Sequence, residues 1–221
     1  MVASGRRAVA PDARNERSTA TRTALVAGAI EALGDVGFAG ASAREISRRA
    51  GCNQALIFYH FGTVIELLLA ALEDVSRRRL TAYAGLLDRA STLTELIDTA
   101  RTIFSEDLAA GHVAVLVEMI TGARTSPGLG EQVAARLAPW REFAETAVGT
   151  AAAGSPYAPL VPVQELAHAV VAGFLGLELL ANLDGDQSAA NALFDRARLV
   201  AGLLEPAAHA AGTQPSKGVR T

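Results

Sequence analysis

The chain has a single cysteine, Cys52, in 221 residues, so it can form no internal disulfide and no cysteine-based zinc site. Its four histidines, at 60, 112, 168 and 209, are scattered, with no run of His and acids at metal-ligand spacing. It has no glycine-rich phosphate loop, no GxSxG and no HExxH, and no Ser-His-Asp set can be assembled without assuming a fold. These absences weigh against an enzyme and against a bound cofactor or metal. The N-terminus is polar and basic with no apolar h-region, so secretion is not indicated. The longest uncharged run, Thr146 to Gln164, holds three prolines and two glycines and cannot be a membrane helix. A soluble, cytoplasmic chain without a membrane partner is expected.

What the sequence does have is apolar mass and helical spacing. Half of the residues are hydrophobic and 19% are charged, so a sizeable core can form and global disorder is not expected. Charge is uneven. Residues 1–64 carry eight arginines against five acids, a balance of +3, while residues 65–221 stand at −6. A basic small domain on an acidic larger one suits nucleic-acid binding by the small one, although a modest asymmetry also arises by chance.

The stretch Ser42 to Phe61, SAREISRRAGCNQALIFYHF, organises the rest. Ser42 can cap a helix, and Glu45 three positions later can reach back to the cap amide, forming a capping box. Ile46 and Ala50 share one face, with Arg44, Arg48 and Arg49 turned away from it. Gly51 follows where a sharp turn wants a residue tolerant of positive φ. Asn53 caps a second helix in which Ile57 and Phe61 repeat the four-residue apolar spacing. Cys52, in the turn, is read as a packing residue. Helix, short turn, helix is the frame that places a second helix in the DNA major groove, and it also occurs in ordinary helical domains. If Ile57 and Phe61 face the core, Gln54, Ala55 and Phe58 can approach base edges, and Tyr59 and His60 can approach phosphates.

Residue identities narrow this further. The segment Thr21 to Leu72 resembles the N-terminal domain of TetR-family transcriptional regulators. The likeness rests on Leu25, Ala29, Ile30 and Leu33, the pair Gly37-Phe38, then Ser42, Arg44, Ile46 and Gly51, and above all the run Ile57-Phe58-Tyr59-His60-Phe61. The resemblance implies an all-α protein: an N-terminal three-helix helix-turn-helix domain followed by a C-terminal helical ligand-binding and dimerisation domain. It implies contacts to double-stranded DNA from Ser42, Arg44, Gln54, Ala55, Phe58, Tyr59, His60 and Thr63, with Arg44 matching the family arginine that can reach guanine. Three positions depart from the pattern. Phe58 replaces a tyrosine, Leu56 a phosphate-bonding threonine, and Val64 a backbone-gripping lysine, so fewer ionic contacts and a shallower salt dependence are expected.

In chain order, residues 1–16, with Arg6, Arg7 and Arg14, read as a flexible basic arm. The DNA-binding domain is expected over residues 17–63, its first helix running from Arg17 to Asp35. The ligand-binding and dimerisation domain is expected over residues 64–206, and residues 207–221 read as a disordered tail. The fourth helix starts after Thr63 and reaches Leu87, and its Arg77-Arg78-Arg79 is read as a solvated face. Thr92 and Glu95 suggest another capping box. One helix is expected from Pro127 through Trp140 and Phe143, and two more over Val163 to Leu183 and Ser188 to Leu204.

The last two helices are apolar on more than one face, so they must lie at the monomer's centre or against a copy of the chain. The resemblance implies the second, a homodimer paired through a four-helix bundle. Polar groups isolated in apolar stretches, Glu118 and His168 among them, with Met119, Phe104, Trp140, Phe143 and Phe174 as walls, form the candidate site for an unknown small, apolar effector. Each also has a plainer reading as core or interface. The expected function is a dimeric, ligand-responsive regulator, a repressor released by its effector. The alternative is a helical DNA-binding or interaction module without an inducer.

Overall fold

The computed structural model describes residues 11–87, 89–90, 92–153 and 158–204; the start of the basic arm and the expected tail lie outside them. Among the described residues the chain is helical with no strand. The helices are α1 (Pro11–Gly40), α2 (Ala43–Ala50), α3 (Gln54–Phe61), α4 (Val64–Leu87), α5 (Leu93–Ala110), α6 (His112–Ala123), α7 (Leu129–Arg136), α8 (Ala138–Ala153), α9 (Val163–Asp184) and α10 (Ser188–Leu204), with one 3₁₀ turn at Ala158–Leu160.

Two helices differ from expectation. The first begins at Pro11 rather than Arg17 and continues to Gly40, bent where Gly37 leaves helical geometry (φ 70°, ψ 178°). Proline suits a first helical position because the missing N–H has no intrahelical partner there. The helix expected from Pro127 through Phe143 is two, α7 and α8, separated at Leu137. Pro139 offers no N–H to the carbonyl four residues earlier, so one ladder could not run through it.

The chain packs as two compact units. The first holds the chain up to Thr81 together with Ala110–Pro139; the second holds Ala82–Ala109 and the chain from Trp140. In the first, Leu25, Ala29 and Leu33 of α1, Ile46 of α2 and Ile57 of α3 are fully buried, as are Leu67 and Leu69 of α4. Each of those three short-range spacings is the apolar stripe read from the sequence, now closed into one small core.

Helix α6 belongs to this first unit and grips the end of α1. The Phe38 amide donates to Glu118 Oε2 at 2.8 Å, giving a part-buried partner to an N–H that the Gly37 bend would strand. The Phe38 ring lies flat on Gly122: a Cβ there would come within 2.4 Å of it. Glu118, expected at an effector site, is therefore occupied in holding α1, and its neighbour Met119 is fully buried core.

In the second unit Phe104 of α5 is fully buried against Phe174 and Phe194, with ring centroids 6.1 and 5.6 Å away. Ion pairs Arg101–Asp195 (2.7 Å) and Arg198–Asp98 (3.1 Å) flank this contact between α5 and α10. Tyr83 donates to the buried Asp107 carboxylate at 2.6 Å.

Gly122→Ala should drive its new methyl into Phe38 and lower stability by about 1–3 kcal/mol in urea unfolding. Glu118→Ala should cost a similar amount, because it leaves the Phe38 N–H without its partner. A G122A protein as stable as the parent would mean that α1 can leave α6 freely.

Candidate nucleic-acid interface

The turn between α2 and α3 is built as its residues dictate. Ser42, extended at φ −77° and ψ 161°, accepts the Glu45 N–H on its hydroxyl at 3.3 Å. Gly51 ends α2 in the left-handed region (φ 62°), which a side chain would resist. Asn53 accepts the Ala55 N–H at 2.9 Å and opens α3, and Thr63 accepts the Glu66 N–H at 3.1 Å and opens α4. As acceptors, the Ser42 and Thr63 hydroxyls each keep their own proton free to donate to a phosphate. Cys52 is half-buried in the turn, its thiol on the Ala50 carbonyl at 3.3 Å.

The expected capping box is only half made. Instead of returning to the cap amide, the Glu45 carboxylate accepts from Arg48 (2.6 Å) and Arg49 (2.7 Å), and Arg49 continues to Asp35 of α1 at 2.5 Å. Charged guanidinium donors outcompete a single neutral amide for a carboxylate. Hydrogen bonds from Arg48 first, and then Arg49, hold the Glu45 carboxyl down to about 2. This network ties α2 to α1 and takes two arginines out of play. Arg44 remains exposed, its guanidinium without a partner among the described residues.

Helix α3 has two faces. Ile57 is fully buried, with Phe61 half-buried below it. Gln54, Ala55, Phe58 and Tyr59, spaced three and four apart, form the opposite face and are all exposed. Phe58 is 53% exposed and Tyr59 76%, an unusual way to hold two aromatic rings in a folded chain. His60 is half-buried, stacked edge-on to Tyr59 with centroids 4.9 Å apart. Seven of the eight expected DNA residues thus lie open to solvent, and His60 is partly so.

Sequence reading missed Arg22 of α1. Its guanidinium donates to the His60 carbonyl at 3.3 Å and lies over the Phe61 ring at 4.4 Å, tying α1 to the end of α3. The partners are 38 residues apart, and no spacing rule joins them.

The expected effector residues are divided between the two packing units. Glu118 and Met119 belong to the first unit; Phe104, Trp140, Phe143, His168 and Phe174 belong to the second. Phe104 is core, Trp140 and Phe143 meet edge to face at 6.2 Å, and His168 is exposed on α9. A cavity of about 210 Å³ in the second unit is lined instead by Leu87, Leu96, Thr146 and Thr150 with nearby alanines. Among the described residues no three His, Cys, Asp or Glu side chains cluster as a metal site would require.

Because the Glu45 carboxyl is held below its ordinary value of 4.5, the unfolded chain binds its proton first, and the anchored state gains stability as pH rises through that interval. The stability difference between the parent and Glu45→Gln should hold from pH 7 to about 4.5 and shrink as pH falls toward about 2. Thermal unfolding across that range checks it; a difference already gone at pH 5 would place the carboxylate outside the network.

Residues 25–71 match the sequence profile of bacterial regulatory proteins, tetR family. A helix-turn-helix-type transcriptional regulator of Mycobacterium tuberculosis is 30% identical over 118 residues, spanning 53% of this chain and 60% of the relative. The chain therefore spans about three fifths of the length of the curated relatives it matches. A TetR-family member from Streptomyces coelicolor A3 superposes with a TM-score of 0.61 at 26% identity, covering 84% of this chain and 98% of that one. The regulator FadR of Bacillus subtilis, solved with stearoyl-CoA, superposes at 0.66 with 10% identity, covering 80% and 96%, a likeness of fold alone. Residues 25–71 thus carry the helix-turn-helix of the TetR family of bacterial transcriptional regulators, and the described helices share the fold of a solved TetR-family member.

Proposed function

We propose that the protein is a ligand-responsive repressor that binds a near-palindromic operator as a homodimer in the cytoplasm. In this reading residues 17–63 contact DNA and residues 64–206 bind an effector and the second copy. The observation that carries it is the outer face of α3. Two aromatic side chains held in water beside Gln54, Ala55 and the unpartnered Arg44 have no role in the fold's own core.

Each exposed group has a chemical use in the groove. Gln54 can pair two-pronged with adenine N6 and N7, Ala55 and the Phe58 ring can meet a thymine methyl, and Arg44 can take guanine O6 and N7. Tyr59, His60, Ser42 and Thr63 supply neutral or weakly basic phosphate contacts, which fix register rather than sequence.

The dimer reading rests on α9 and α10. Leu180 and Leu183 of α9 are 60% and 73% exposed, and Leu199 and Leu203 of α10 are 64% and 85% exposed. A second copy would cover both helices and set two α3 helices roughly 34 Å apart, one turn of DNA. By length and composition α9 could also cross a membrane, as could Asn15–Gly40. Against that stand the Glu178 carboxylate buried in α9, the exposed His168 on its surface, and the fully buried Leu25, Ala29 and Leu33 of α1 in the helix-turn-helix core.

For the effector, an apolar site in the second unit fits best, with Phe104, Trp140, Phe143 and Phe174 among its neighbours and Glu118 acting on α1 rather than on the ligand. In support, FadR of Bacillus subtilis, which shares this fold, is solved in complex with stearoyl-CoA, a molecule with a long apolar chain. Release follows if the effector favours a position of α4, the helix continuous from the helix-turn-helix into the second unit, that shifts the two reading helices. A coupling of about 1–3 kcal/mol would change operator affinity about 5- to 150-fold, provided the ligand distinguishes the two positions.

Selection from random duplexes should return a near-palindrome. On it, Gln54→Ala should relax preference at one base position in each half-site by about 1–3 kcal/mol, while His60→Ala should weaken binding evenly across sequences. Recovery of only sequence-independent, salt-sensitive binding would favour a generic helical module instead. Leu180→Glu should sediment as a monomer, and an intact dimer would move the interface off α9.

A further inference from the structure

Beyond the residues that face the groove, one side chain sets the pose of the reading helix from behind. We infer that Arg22 is a positioning residue for base recognition, acting on the C-terminal end of α3; the inference rests on α3 being the reading helix.

An eight-residue helix ends after two turns, and its last carbonyls have no intrahelical donors. Gly62 N–H takes the Phe58 carbonyl at 3.1 Å, and Arg22 takes the His60 carbonyl at 3.3 Å. The same guanidinium lies 4.4 Å from the Phe61 ring centroid. One planar group therefore makes two contacts at right angles in kind: an in-plane donor to the backbone and a cationic face on an aromatic ring. Its positive charge also stands at the negative end of α3's dipole.

Arg22 is itself anchored. Leu25 and Val26, three and four residues later on the same face of α1, are buried. Arg22 thus projects from the rim of the core across to α3, so the tilt of α3 is referred to α1. Phe58 and Tyr59 lie within the last turn, one to three residues before the gripped carbonyl and ring, so a small rotation at Phe61 moves the exposed reading face as a unit. With its head on His60 and Phe61, Arg22 is not extended toward a phosphate.

Lysine separates the two roles. It keeps the charge but cannot stack a plane on Phe61 while donating in that plane. On the duplex selected by the parent, Arg22→Lys and Arg22→Gln should both reduce discrimination at the base position read by Gln54, by roughly 3- to 10-fold. The slope of log affinity against log salt should stay unchanged for Arg22→Lys. Phe61→Leu, which keeps an apolar group in place, should cause a similar loss, and adding Arg22→Lys to it should cause little more.

A parent that discriminates while Arg22→Lys discriminates equally well overturns the proposal and leaves the reading helix standing. So does an Arg22→Gln protein whose only change is a salt slope shallower by about one phosphate contact. A parent with no base preference at all, or one indifferent to Gln54→Ala, overturns the reading itself and this proposal with it. Thermal unfolding of each variant separates a change of pose from loss of the fold, since Arg22 is exposed.

Discussion

The hydrogen bond from the Phe38 amide to Glu118 decides where the helix-turn-helix sits. It lies at the bend where α1 ends and the chain enters α2, so it fixes the departure of the DNA-reading segment rather than some point along it. The ring of Phe38 on Gly122 makes the contact a lock of two parts, one polar and directional, one steric. Removing the carboxylate would leave the part-buried Phe38 N–H without its partner, at a cost of about 1–3 kcal/mol. Helix α6 is thereby joined to α1 inside one packing unit, and any displacement of α6 must either carry α1 with it or break the bond.

How much of this could be read in the sequence depends on the range over which each residue acts. Ser42, Gly51, Asn53 and Thr63 act on amides or dihedrals within three residues of themselves, and all four do in the structure what their chemistry predicts. The apolar pairs Ile46 and Ile57 follow from period alone. Failures begin where a side chain has a choice. Glu45 could reach its cap amide or two arginines, and charge decided for the arginines. Glu118 looked like a polar group in an apolar pocket because its partner is a backbone amide 80 residues away. Arg22 received no reading for the same reason, its partner carbonyl being 38 residues away. Pro139 was different: the break it imposes between α7 and α8 was local and visible, and the apolar run through Trp140 and Phe143 obscured it.

The two C-terminal helices show why composition alone could not assign their partner. One face of the pair closes over Phe104 through Phe174, Ala181 and Phe194. The remaining leucines, Leu180, Leu183, Leu199 and Leu203 among them, stay in water in the single chain. Their sequence pattern is that of any helix apolar on most sides, whether its cover is lipid, the same chain or another copy. What separates these is the polar content of the same helices. The ion pairs of Arg101 with Asp195 and of Arg198 with Asp98 place charged groups along the edge of α10, as a wet protein interface tolerates and a lipid boundary does not.

Charge bookkeeping then bears on how the DNA is held. Of the arginines in the helix-turn-helix, Arg48 and Arg49 are neutralised by Glu45 and Asp35, and Arg22 is turned onto α3. Leu56 and Val64 stand where further phosphate ligands were expected, and Glu66 opens α4 with the wrong sign for a phosphate. On the proposed reading such a surface, with Arg44 the one exposed unpaired arginine of α2 and α3 among the described residues, would release few counterions, and electrostatics would supply a small share of the free energy. The balance must come from shape and burial. Phe58 and Tyr59 leave apolar area in water that would be worth on the order of 1.5–3 kcal/mol each if covered. That gain is realised only if the rings enter the groove without first having to be oriented. The arginines absent from the phosphates are the ones that orient them: Arg49 fixes α2 on α1, and Arg22 fixes the end of α3. The segment has exchanged ionic reach for rigidity, which favours discrimination between sequences over affinity for DNA in general.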